Sequence, residues 1–145
     1  MRYKLLEDIG GRRKFVLALD AGENAIESIT AFAQDHDLGA TSLTGIGAFA
    51  QASLGYFNPA TKEFRQNDIT DQTEVLSMIG NIAVEADGKH KLHVHVVLGC
   101  IDATTRGGHL IEASVRPTLE IVLEESPAHL ARGVDAKSGL VLLQP

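Results

Sequence analysis

The sequence predicts an α+β domain, a largely antiparallel or mixed β-sheet carrying one main helix. Three observations lead there. Only one segment, Ala25 to Ala33, places its apolar residues at helical spacing. Most of the remaining chain divides into β-prone runs, punctuated by Gly, Pro, Asn and Asp. No linker, low-complexity stretch or internal repeat interrupts the 145 residues, so residues 1–145 read as a single domain.

Tyr3 to Glu7 and Lys14 to Leu19 are short strands joined at Gly10-Gly11. Asp20-Ala21-Gly22-Glu23 then opens the helix with an acidic first turn, which suits the positive end of the helix dipole. Ala25, Ile26, Ile29, Phe32 and Ala33 form its apolar stripe, and Asp37 to Gly39 end it. Thr41 to Gly47 is punctuated by glycine, Ala48 to Phe57 is extended and apolar, and Asn58 to Lys62 is a turn leading to a strand at Phe64 to Asn67. Glu74 to Ala86 is a long strand with a bend or bulge expected at Gly80-Asn81, closed by the Asp87-Gly88-Lys89 turn. Lys91 to Leu98, Thr118 to Glu124 and Leu140 to Leu143 complete the strands, and Ala128 to Arg132 reads as a short final helical turn.

Composition narrows the function. No run approaches the roughly 20 apolar residues that span a bilayer, and Met1-Arg2-Tyr3-Lys4 has no apolar signal core behind it. A cytoplasmic location is therefore expected. Cys100 stands alone, so an intrachain disulfide and a multi-thiolate zinc site are both excluded; it reads as a small buried hydrophobe near a strand end. The formal charge is −6, and the only basic run is Arg12-Arg13-Lys14. Non-specific nucleic-acid binding needs cationic neutralisation of phosphates, so that balance argues against a DNA-binding domain acting alone.

A transition metal would have to rest on histidine and carboxylate, and the histidines are patterned. Side chains alternate across a strand, so in Leu92-His93-Val94-His95-Val96 the aliphatic residues face one side and both histidines the other, about 7 Å apart. That spacing lets two imidazoles converge on one ion. If the chain folds back as a hairpin centred on Asp102, His109 falls opposite His95 on the same face, whereas a one-residue slip sends it to the other side. Gly107 and Gly108 would let the backbone pass close to an ion or ligand. Three neutral imidazoles with an open fourth position form the pattern of a catalytic zinc site rather than a closed structural one.

Glu120 alternates away from Leu119 and Ile121 and is the candidate ligand, imidazole acceptor or general base, with solvated strand residue as the plainer alternative. Glu74 and Arg116 are comparable polar strand residues. His90 should be exposed beside its turn, and His36 and His129 lie near expected helix ends, where histidine suits the dipole. Gly45-Ile46-Gly47 lacks the third glycine of a dinucleotide loop, and no serine sits in a nucleophile elbow.

Taken in order, Thr44-Gly45-Ile46-Gly47-Ala48, the strand Glu74 to Ile82, Leu92-His93-Val94-His95-Val96 and Gly107-Gly108-His109-Leu110 resemble the plants-and-prokaryotes-conserved (PPC) domain. The resemblance implies a PPC-like α+β fold assembled as a homotrimer, with metal held in some members by the histidines that His93, His95 and His109 match. Plant members carry AT-hook segments and act on AT-rich DNA, and bacterial members are often described as DNA-binding. This chain has no Arg-Gly-Arg-Pro hook, so nucleic acid is not an expected partner.

Three functions follow in order. The first is a zinc-binding protein that takes a small ligand at the metal, in a binding or regulatory role. The second is a metal-dependent hydrolase or lyase with Glu120 as base. The third is a DNA-associated module in which the histidines matter little.

Overall fold

In the computed structural model, which describes residues 1–145, nine strands and one helix follow in the order β1 (Arg2–Ile9), β2 (Arg12–Asp20), α1 (Ala25–Asp35), β3 (Ala40–Asn58), β4 (Glu63–Ile69), β5 (Thr73–Glu85), β6 (His90–Gly99), β7 (Thr105–Glu125), β8 (Ala131–Val134) and β9 (Val141–Gln144). The sheet runs β1-β2-β7-β3-β5-β8-β9, with β4 beside β3 and β6 bridging β5 and β7. All pairings are antiparallel except the short β5–β8 ladder. The pairs β7–β3, β3–β5, β5–β6 and β6–β7 close into a circuit, so the central strands have few free edges.

The inward positions of that circuit make the core. A cluster of 26 buried residues includes Leu17, Phe49, Met78, Ile82, Leu98, Leu119 and Ile121. Full burial of each large side chain contributes about 1.5–3 kcal/mol relative to exposure. Helix α1 adds Ala25, Ile29, Phe32 and Ala33, the stripe read from the sequence. Phe32 meets Phe15 and Tyr3 edge-on at 5.3 and 5.0 Å between ring centroids.

The helix begins later than its acidic prelude predicts. Asn24 is the cap, its side chain accepting from the Ile26 and Glu27 amides at 3.1 and 3.3 Å. Glu23 is engaged elsewhere, accepting from the Asp20 amide and pairing with the N-terminal ammonium.

Four further expectations are corrected. The bulge of β5 falls between Val75 and Ser77, whereas pairing runs unbroken through Gly80 opposite Val94. Gly80 is required because an added Cβ would meet the His93 carbonyl and the Val94 Cα across the ladder. The strand expected from Thr118 starts earlier, because β7 runs 21 residues from Thr105 and pairs in turn with β6, β3 and β2. Ala128 to Arg132 does not form a helical turn; Ala131 and Arg132 pair in parallel with Val84 and Glu85 and antiparallel with β9. Local propensity loses there to a ladder with a distant strand. Finally, the His90 side chain is largely covered rather than exposed, with Nε2 3.3 Å from Asp37. No helix is long and apolar enough to cross a membrane.

Candidate metal centre

Strand β6 is buried on one side and open on the other. Leu92, Val94, Val96 and Leu98 enter the core, while His93 is half-buried and His95 exposed on the outer face. At the β6–β7 turn the Ala103 amide donates to the Cys100 carbonyl and the Thr104 amide to Asp102, which fixes where β7 starts. Pairing then runs from Gly99–Thr105 to His95–His109, the register of a hairpin centred on Asp102. Cys100 sits in that turn as a half-buried free thiol.

Gly107 and Gly108 serve a purpose other than ligand approach alone. A Cβ on Gly107 would lie 2.8 Å from the Val96 carbonyl oxygen, and one on Gly108 would lie 3.0 Å from the Gly55 oxygen. Their bareness lets β7 squeeze between β6 and β3, which seats His109 at the end of the hairpin ladder.

The result is a triad. One ring nitrogen each from His93, His95 and His109 lies within 4.8 Å of the others. The Nε2 atoms of His93 and His95 are 3.2 Å apart. Two nitrogens on one tetrahedral zinc, each 2.0–2.1 Å from it, stand about 3.3 Å apart. The ring centroids are separated by 5.1 to 5.5 Å, and Phe64 lies 5.9 Å from the His109 ring.

The electrostatics suit the lone pairs a metal needs. Burial pushes the His93 imidazole down from 6.5 to about 4, and the charges of His109, Arg132, His95 and Lys91 push the same way. Burial, then His95 and Lys91, lowers His109 as well. Both rings are therefore neutral near pH 7, the form that ligates. Donor type, spacing and protonation all fit a divalent transition ion.

The triad opens on a cleft of about 750 Å³. Phe57 and Phe64 form one apolar wall, and Leu140 and Leu142 form another. Its charged lining is Glu85, Lys91 and Arg132. Glu120 is not there. It is exposed on β7 opposite Ala18 and Ile46, eleven residues beyond His109, a distance on the order of 35 Å along an extended strand. Within this chain it is not brought to the imidazoles, and the reading of Glu120 as a base or ligand is corrected accordingly. Glu74 and Arg116 are likewise exposed and line no part of this cleft.

Sequence reasoning missed Arg132, Asn81 and the aromatic wall. Asn81 was within reach, since the Asp87 turn puts it opposite His93 by the same symmetry that places His109. Arg132 arrives through the β5–β8 pairing, which no local pattern announces.

The sequence profile of the Plants and Prokaryotes Conserved (PCC) domain matches residues 8–127. Solved structures agree over nearly the whole chain. A protein of Bacteroides thetaiotaomicron described as a "putative dna binding protein" has a TM-score of 0.88 at 26% identity, covering 98% of this chain and 96% of that one. A plant- and prokaryote-conserved protein of Pyrococcus horikoshii has a TM-score of 0.85 at 28% identity, covering 99% and 95%. The metal-containing protein AF0104 of Archaeoglobus fulgidus has a TM-score of 0.85 at 29% identity, covering 99% and 97%. No curated protein sequence matches the chain.

Proposed function

This chain belongs to the Plants and Prokaryotes Conserved domain family, and from that premise we propose that it is a metal-binding protein that takes a small ligand, in a binding or regulatory role, at an ion held by His93, His95 and His109. The observation that carries this reading is the convergence of three ring nitrogens within 4.8 Å on the open side of the sheet. Zinc is the first candidate, because an all-imidazole donor set suits a borderline-soft ion that accepts tetrahedral geometry. The description of the Archaeoglobus fulgidus relative as metal-containing supports it. A bound divalent ion supplies Lewis acidity and a position for an incoming oxygen donor. The protein's own part is to hold three imidazoles with their ring nitrogens converging and to wall the position with Phe64 and Leu142.

The functional unit in this reading is a homotrimer. Ile46, Leu76, Ile79 and Val97 are exposed apolar residues on β3, β5 and β6, and assembly would cover such a surface. DNA binding has support from the descriptions of the Bacteroides relative and of a similar Ralstonia eutropha structure, and the net charge of −6 works against it.

Metal analysis after dialysis tests the reading. The wild-type chain is expected to retain close to one zinc per chain, and His93→Ala and His109→Ala to retain almost none while keeping their circular dichroism. Full zinc occupancy in both variants would end it.

A further inference from the structure

Arg132 is the one buried residue of the β8–β9 ribbon, 5% exposed. Its guanidinium has no counter-ion, because the ion pairs of the chain all involve other residues. The charge of Glu85 acts on it, yet that carboxylate is not within the 4.0 Å of an ion pair. One terminal nitrogen, Nη2, donates to the Asn81 side-chain oxygen, and Nη1 reaches the Val141 carbonyl at 3.4 Å. The Nε–H is buried with no partner at all. A guanidinium offers five N–H donors in a planar fork, and a buried cation left this incompletely paired is costly to keep.

Arg132 also lines a neighbouring cleft, but its anchors point to the histidine side. Asn81 is directly opposite His93 in the β5–β6 ladder, so the two side chains share a face. Val141 lines the same cleft as the triad. The guanidinium is thus held one strand away from His93. With a divalent ion on the triad, Lys91, Arg132 and the ion face a single carboxylate, Glu85, and the cleft becomes a site for an anion. Its apolar walls suit a ligand that carries an apolar group beside its charge.

On the reading that the triad holds a divalent ion, we propose that Arg132 anchors the carboxylate of a small organic acid. A second oxygen donor of that acid takes the open position on the ion, and its apolar group lies against Phe64 and Leu142. Planar, bidentate carboxylate recognition is what an arginine fork provides and a lysine does not.

Calorimetry on the full-length chain tests the assignment with 3-methyl-2-oxobutanoate, its methyl ester and inorganic phosphate as probes, after zinc loading. The zinc-loaded wild type is expected to bind the acid roughly tenfold or more tighter than the ester. Arg132→Gln is expected to lose roughly tenfold or more of the affinity for the acid while its zinc content and ester affinity stay unchanged. Arg132→Lys should recover only part of the loss. Equal binding of acid and ester by the wild type overturns the proposal without reference to any variant. So does equal acid affinity in wild type and Arg132→Gln, or phosphate bound more tightly than the acid with the same dependence on Arg132. Failure of the wild type to take up zinc would remove the metal reading and this proposal together, whereas normal zinc uptake with no Arg132-dependent binding removes this proposal alone.

Discussion

Two regions wall the same cleft and are built on opposite terms. The β6–β7 hairpin supplies the three histidines and also ten of the 26 residues of the core cluster, from Leu92 to Leu123. The β8–β9 ribbon supplies Arg132, Val141 and Leu142 to the cleft and nothing to that cluster. In the hairpin, strand alternation ties the ligands to the fold, because burying Val94 necessarily turns His93 and His95 outward. In the ribbon the only buried residue is a cation. A metal site anchored in the core keeps its geometry, whereas a ligand-facing wall outside the core can move with little cost to the rest of the fold.

The largest expected effect tests the first half of that contrast. Leu98→Ala removes a side chain that is fully buried in the hairpin, and urea unfolding should show a loss of about 2–5 kcal/mol. A loss below about 1 kcal/mol would mean that the hairpin is not integral to the core.

A second test uses pH on the metal-free chain. His93 takes a proton below about 6.5 when unfolded but only below about 4 when folded. Between those values unfolding takes up a proton, so the stability present above pH 6.5 is lost as the pH falls towards 4. The thermal midpoint should therefore drop between pH 7 and pH 4.5, and less steeply in His93→Gln. Parallel curves for the two proteins would show that the triad does not impose this penalty.

The smallest effect belongs to the ribbon. Leu142 is 37% exposed, so Leu142→Ala should change the unfolding free energy by less than about 1 kcal/mol and leave zinc content intact. A change as large as that of Leu98→Ala would erase the distinction between the two regions.

The same contrast explains what could be read from the sequence. His93 and His95 share a face because the period of a strand is two residues, and that rule needs no tertiary information. His109 required one further fact, the turn at Asp102, and the hairpin arithmetic then placed it correctly opposite His95. The helix stripe from Ala25 to Ala33 was equally local, although Asn24 rather than the acidic segment caps it. What sequence reasoning lost was non-local. The parallel pairing of Val84 and Glu85 with Ala131 and Arg132 joins residues far apart in the chain, and it turned an expected helical turn into a strand. Glu120 failed for a related reason. Alternation told correctly that it faced away from Leu119 and Ile121, but could not tell that its stretch of β7 lies against β2 and β3, away from the histidine cleft.

The central claim is that three imidazoles of this chain form one metal site. X-ray absorption at the zinc edge of the loaded protein tests it most directly. A first shell containing three imidazole nitrogens at about 2.0–2.1 Å, with one oxygen donor completing four, is the predicted result. A sulfur scatterer at about 2.3 Å, which could come only from Cys100 or a methionine, or a shell of oxygen alone, would contradict it.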